Sequence, residues 1–456
     1  MNQETEEGKR ISSLESLCEE YRAHNRIPAE LFDKYQVKRG LRNPDGTGVV
    51  AGLTNISNVH GYIIEDEEKT PDEGRLIYRG IDLRELVEGC ARDNRFGFEE
   101  VEWLLLFGKL PSKEQLERFN RTLNENRELP SYFAEDMIIK APSANIMNKL
   151  ARSVLALYSY DPTPDDPSLE NNMRQSVELI ARLPTIMTYA YQVKRRYYDK
   201  ESMYFHPLCP EHHTAEAILR ALRPDTQFTD EEAKLLDLCL MLHAEHGGGN
   251  NSTFTSRVLS SSGTDIYSTI AASIGSLKGP KHGGANHRVM TMMHEIMEQV
   301  QNWENEDEVE AYLEKILRKE AGDGSGLIYG IGHAVYTLSD PRAVILKEKA
   351  GNLAREKSME REFNLFQLVE KLAPDAFARV KGSSKVVSAN VDFYSGLIYQ
   401  MLGIPEDLFT PLFAVSRIGG WCAHRMEEMF TGGRIIRPAY RSLTRFQPYV
   451  DLKDRQ

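Results

Sequence analysis

The sequence predicts a mainly α-helical fold of two domains, with one small β-hairpin near the N-terminus. Three observations lead there. Apolar residues recur at helical spacing along most of the chain, and strand-like runs are few and confined to its first part. A chain of 456 residues also exceeds the size that one hydrophobic core usually serves.

The elements follow in chain order. Residues 1 to about 40 are rich in charge and predict a peripheral helix. Gly61-Tyr62-Ile63-Ile64 and Arg75-Leu76-Ile77-Tyr78 read as the two hairpin strands, separated by an acidic, proline-containing turn region. Thr229-Asp230-Glu231-Glu232 has the form of a capping box and opens a helix that runs to about His243. Val289, Met293, Ile296, Met297 and Val300 fall on one helical face; Val309, Tyr312, Leu313, Ile316 and Leu317 repeat the pattern. Asp340 before Pro341 is a cap followed by proline at the first helical position. Pro405 to Phe430 is apolar-rich and largely helical in pattern.

Composition narrows the function classes. Hydrophobic residues at 41% and charged residues at 27% fit a soluble globular protein. The net charge of −12 repels phosphate backbones and argues against a nucleic-acid binder, without forbidding a local basic pocket. The five cysteines (Cys18, Cys90, Cys209, Cys239 and Cys422) are scattered and form no Cys-x-x-Cys pair. They read as reduced thiols, not a disulfide frame or a zinc site. The acidic start Met1-Asn2-Gln3-Glu4-Thr5-Glu6-Glu7 has no signal-peptide core and is unlike a mitochondrial presequence. No apolar run approaches the ~20 residues that span a bilayer. The expectation is a cytoplasmic protein with no membrane partner.

Nine of the twelve histidines fall between His206 and His333, which directs attention to the middle of the chain. The first segment of interest is His243-Ala244-Glu245-His246-Gly247-Gly248-Gly249-Asn250. Its histidines, three apart at a helix end, share a face. They read as hydrogen-bonded structural residues, as part of a zinc site, or, for His246, as a donor to an anion. In Gly279-Pro280-Lys281-His282-Gly283-Gly284-Ala285-Asn286 one helix breaks and another starts. His282 therefore lies near a helix N-terminus, where the macrodipole disfavours imidazolium and leaves a neutral donor suited to an enolising carbonyl. The alternative is a turn histidine with no role.

Gly330-Ile331-Gly332-His333-Ala334-Val335-Tyr336 precedes Asp340-Pro341-Arg342. Its glycines permit close approach of a ligand to the backbone, and Arg342 can pair a carboxylate bidentately or stay a solvated surface arginine. Asn390-Val391-Asp392-Phe393-Tyr394-Ser395-Gly396 sets one acid in an apolar, aromatic stretch. Asp392 is there a base of raised pKa, a helix N-cap, or both. Arg417 and Arg437 also stand in apolar settings, as structural ion-pair partners or substrate clamps.

Taken in order and at these separations, the segments resemble the citrate synthase family, from about Gly40 to Arg437. The resemblance implies that His282 hydrogen-bonds the thioester carbonyl and stabilises its enol. Asp392 would remove the methyl proton, and His333 would protonate the oxaloacetate carbonyl as the carbon–carbon bond forms. His246, Asn250, Arg342 and Arg417 resemble oxaloacetate and citrate ligands. Arg437 resembles the arginine that reaches the neighbouring site of a homodimer. Leu327, Gly330, Ile331 and Gly332 lie in a stretch like the loop that receives the CoA adenine. Two positions depart from the family pattern: Gly247 stands where many relatives have glutamate, and Thr337 where some carry an arginine for CoA phosphate. That leaves the phosphate contacts open, with Lys385 a candidate.

The implied architecture is a large domain of residues 1–283 and 398–456 and a small domain of 284–397, with hinges near His282–Gly284 and near Gly396. The implied reaction joins acetyl-CoA, oxaloacetate and water into citrate and CoA, with no cofactor or metal. A 2-methylcitrate synthase using propionyl-CoA is the nearest alternative, since one methylene is worth only ~1–3 kcal/mol. A metal-dependent hydrolase using His243, His246 and Asp392, and a non-catalytic binding relative, are alternatives of other classes.

Overall fold

The computed structural model describes residues 6–65, 68–382 and 387–455. Residues up to Leu53 and residues from Thr54 form two compact units. The first unit holds α1 (Glu6–His24), α2 (Glu30–Lys34) and a 3₁₀ turn at Arg39–Leu41. The charged helix expected there is α1.

The second unit opens with the hairpin of β1 (Ser57–Glu65) and β2 (Glu68–Tyr78), extended by β3 (Ile81–Asp82) into one antiparallel sheet. The strands are longer than expected. Register runs from Ser57↔Tyr78 to Glu65↔Glu68, so most of the expected turn region, including Pro71, belongs to β2. An irregularity between His60 and Tyr62 absorbs the mismatch.

The helices that follow are α3 (Leu83–Arg92), α4 (Phe98–Phe107), α5 (Lys113–Glu125), α6 (Ile146–Leu157), α7 (Leu169–Lys194) and α8 (Thr214–Leu222). Then come α9 (Asp230–His243), α10 (Asn251–Ser260), α11 (Ile266–Lys278) and α12 (Ala285–Gln299). The chain ends with α13 (Glu306–Leu317), α14 (Pro341–Glu356), α15 (Glu360–Lys381), α16 (Val391–Met401) and α17 (Phe409–Phe430).

The capping box at Thr229 forms with both its reciprocal bonds, and Asp340 caps α14 with Pro341 at its start. α17 is buried on all sides from Pro411 to Arg425, as its apolar composition requires of a central helix. α4, α7, α9, α10 and α11 pack around it. α12 and α14 pack on α16, and α13 on α15, while α14 also touches α9. Gly396, expected near a hinge, lies inside α16; a Cβ there would stand 2.8 Å from Met290 of α12, so its small size serves helix packing. Among the described residues no helix is long and apolar enough to cross a membrane.

Candidate active site

Two aromatic rings organise the site. Phe413 of α17 lies edge-on to His243 and His282, at ring-centroid distances of 4.7 and 6.4 Å, with the Arg417 guanidinium 4.7 Å from its face. Tyr336 stacks on His333 at 4.7 Å, meets His246 edge-on at 5.5 Å and lies 5.8 Å from Arg342. His246 and His333 meet directly at 5.2 Å. The histidines from three separate sequence segments thus converge.

His282 sits in the turn between α11 and α12. Its Nε2 lies 3.3 Å from the Ser252 backbone N–H, at the start of α10, and 2.9 Å from the Ser252 hydroxyl. An amide can only donate, so Nε2 accepts and the proton stays on Nδ1. Burial, with the nearby Arg417 charge, lowers the pKa of His282 to about 4, so the ring is neutral at physiological pH. The helix N-terminus that meets its ring is that of α10, brought in from thirty residues upstream, where the sequence had pointed to α12.

His333 has the opposite tautomer. Its Nδ1 accepts from the backbone N–H groups of Val335 and Tyr336, both at 3.1 Å, which leaves the proton on Nε2. The preceding loop is pinned to the start of α16. Gly332 N–H donates to Ser388 O at 2.7 Å, Asn390 N–H to Gly330 O at 2.8 Å, and Asn390 Nδ2 to Gly332 O at 2.9 Å. Gly330 and Gly332 have φ of +79° and +98°, the region that favours glycine. A Cβ on Gly330 would also stand 2.8 Å from Phe393. Of the stretch compared to a CoA loop, Leu327 is exposed, Gly330 is buried, and Ile331 and Gly332 are partly buried. Lys385 lies outside the described residues.

Asp392 is the second residue of α16; the N-cap is Asn390, which corrects the reading of Asp392 as a cap. Burial raises its pKa to about 6, against the opposing pull of Arg342. That is a carboxylate basic enough to take a proton from a weak carbon acid near neutral pH.

Arg342 is buried, with a bidentate pair to Asp340: Nε to Oδ1 at 3.0 Å and Nη2 to Oδ2 at 2.8 Å. The reading of Arg342 as a solvated surface arginine is therefore wrong. Asp340 also accepts from the Val391 N–H at 3.2 Å, tying the starts of α14 and α16 together. Arg417 donates through Nε to His243 O at 2.6 Å, and its Nη2 is buried with no hydrogen-bond partner. His246 Nε2 is likewise buried and unpartnered. Buried polar groups in this condition call for a partner, and an anionic ligand is one whose chemistry fits.

Asn250 caps α10, and its amide nitrogen bonds Gly247 O at 2.6 Å and Thr253 Oγ1 at 2.7 Å; here it shapes the His246 turn. Arg437 is exposed in the segment after α17. Among the described residues no three His, Cys, Asp or Glu side chains gather as a metal site. His243 is buried, with Nδ1 bonded to Cys239 O.

Several contributing residues had no sequence signal. Ser252, which sets the His282 tautomer, is one. Glu245 is another: it is fully buried and accepts from Ser57 and His424, both at 3.0 Å. Asp340 was legible only as a helix cap, though an acid two residues before an arginine at a helix start is a pattern that could have announced the ion pair.

Known proteins share this architecture. The family model described as "Citrate synthase, C-terminal domain" matches residues 42–439. The citrate synthase of Deinococcus radiodurans is 35% identical over 409 residues, which cover 89% of this chain and 100% of that protein. The 2-methylcitrate synthase 1 of Corynebacterium glutamicum is 32% identical over 410 residues, covering 88% and 94%. A solved ternary complex of carboxymethyl coenzyme A and oxaloacetate with the citrate synthase of Thermoplasma acidophilum aligns with a TM-score of 0.74 over 92% of this chain and 99% of that one; at 24% identity this is a likeness of fold. With a family match over most of its length and relatives above 30% identity along nearly all of theirs, the chain belongs to the citrate synthase family.

Proposed function

We propose that the protein condenses acetyl-CoA with oxaloacetate and hydrolyses the resulting thioester to citrate and CoA. Asp392 takes a methyl proton from the thioester. The developing enolate oxygen accepts a hydrogen bond from His282 Nδ1–H, a preorganised neutral donor. The enol carbon attacks the oxaloacetate carbonyl carbon, and that oxygen takes its proton from His333. Water then cleaves the thioester, releasing CoA. His246, Arg342 and Arg417 hold the substrate carboxylates, and Asn250 supports the turn that presents His246. No metal or cofactor is needed for any step.

The observation that carries this reading is the pair of opposite histidine tautomers, each imposed by backbone amides, together with a carboxylate of pKa about 6 that feels Arg342 and Arg417. The loop of Leu327, Gly330, Ile331 and Gly332 receives the CoA adenine, with Lys385 a candidate for its phosphates. The working unit is a cytoplasmic homodimer in which Arg437 reaches the neighbouring site. Residues 284–397 close over the substrates as a small domain against 1–283 and 398–456, excluding water.

CoA thiol release from acetyl-CoA and from propionyl-CoA, each with oxaloacetate, tests the assignment. A higher kcat/KM with acetyl-CoA is expected. A preference for propionyl-CoA would make it a 2-methylcitrate synthase, a reading that the Corynebacterium relative favours. No thiol release from either would overturn the condensation reading.

A further inference from the structure

Three helices carry candidate site residues at one end and meet again at the other. His246 follows α9 by three residues, Arg342 is the second residue of α14, and Asp392 is the second residue of α16. At their far ends lie Glu232 in the first turn of α9, Lys357 just past α14, and Leu402 just past α16. All three are gathered by polar bonds around Arg223, the residue that ends α8. Arg223 donates through Nη1 to Glu232 Oε2 at 2.6 Å and through Nη2 to the Leu402 carbonyl at 2.8 Å. Lys357 donates to the other Glu232 oxygen at 2.5 Å. Glu232 is almost fully buried, and its Oε2 also closes the capping box of α9.

We propose that Arg223, Glu232 and Lys357 form a positioning knot for the reaction, pinning the far ends of α9, α14 and α16 to one pivot and so setting the approach of His246, Arg342 and Asp392 to one substrate. The inference rests on the condensation reading. Its physical basis is leverage. α14 has 16 residues and is about 24 Å long at 1.5 Å per residue. A tilt of about 3° about its far end moves Arg342 by roughly 1 Å, a displacement that can cost about a hundredfold in rate. An ion cluster with a buried Glu232 and partly exposed Arg223 and Lys357 contributes little net stability, so geometry is where it has its effect. The α9 and α14 ends that it joins lie on either side of the proposed closure. It therefore acts as a fulcrum remote from the chemistry.

Lys357→Met cuts one bond at a partly exposed position. Arg223→Gln removes the fork, and Arg223→Lys keeps the charge without it. Kinetics are read well below each melting temperature, beside amide hydrogen exchange in residues 336–346 and 388–396. Expected are a fall in kcat of about tenfold for Lys357→Met, more for Arg223→Gln, partial recovery in Arg223→Lys, and faster exchange in both distant segments. A lower melting temperature with kcat and KM within about twofold of the parent, and unchanged exchange there, would reduce the knot to a structural role and overturn the proposal. If the unmutated protein releases thiol from neither acyl-CoA, the condensation reading fails, and the exchange data alone decide whether the far ends hold the near ones.

Discussion

His282 and His333 share a ring chemistry and owe their difference to which nitrogen meets a backbone amide. The Ser252 amide holds Nε2 of one, and the Val335 and Tyr336 amides hold Nδ1 of the other. The same side chain thereby presents its proton from a different atom at two points of the proposed reaction. Asp392 is the proposed base, and its burial has two measurable consequences. First, kcat/KM should rise with pH through about 6, as the carboxyl loses its proton; a profile flat between pH 5 and 8 would remove Asp392 from that step. Second, the folded-state pKa is raised, so ionisation costs stability. That cost is absent below about pH 4, where the carboxyl is protonated folded and unfolded, and is fully present above about pH 6. Asp392→Asn should therefore abolish turnover, keep oxaloacetate binding, and raise the melting temperature more at pH 8 than at pH 4. Both types of histidine were legible as candidates from their glycine-flanked segments. Their tautomers were not, because the amide that meets His282 comes from a distant stretch of the chain.

At the scale of elements, the starts of α14 and α16 and the loop before His333 form one bonded assembly. Asp340 serves as cap, as ion-pair partner of Arg342 and as acceptor for Val391 N–H at once. Arg342→Ala should weaken oxaloacetate binding and also strand Asp340 as a buried charge, destabilising by roughly 3–5 kcal/mol. Calorimetric titration with oxaloacetate and a urea melt read the two effects separately; normal values in both would refute the pairing. Gly330 combines a positive φ with contact against Phe393. Gly330→Ala should cost about 1–3 kcal/mol and lower kcat by displacing His333, and a variant with parental kcat would show that the loop absorbs the side chain. The helix starts at Thr229 and Asp340 were readable because capping is local. The extent of the hairpin was not, since strand pairing through an irregularity depends on a partner strand that no short window contains.

For the whole molecule, the proposed homodimer makes a test that one chain cannot. If Arg437 completes the neighbouring site, Arg437→Ala and Asp392→Asn should each be inactive alone, and their co-refolded mixture should regain activity. The hybrid dimer has one site with both native residues. Activity that stays lost in a mixture shown to exchange subunits would place Arg437 outside the neighbouring site. Sedimentation of the parent protein would report the dimer directly. The single chain is consistent with such a role, since Arg437 is exposed and its segment carries exposed Ile435, Tyr440 and Phe446.

The sequence alone determined the helical class, the helix starts at Thr229 and Asp340, and the glycine-flanked histidine segments proposed to carry the chemistry, because periodicity, caps and such flanks are encoded within a few residues of one another. Tertiary structure decided the rest: the tautomer of His282 and the distant amide that imposes it, the burial of Arg342 against Asp340, and the convergence of three helices on Arg223. Each of these depends on which distant groups come within hydrogen-bond distance and on how much water they exclude, and both are properties of the packed chain.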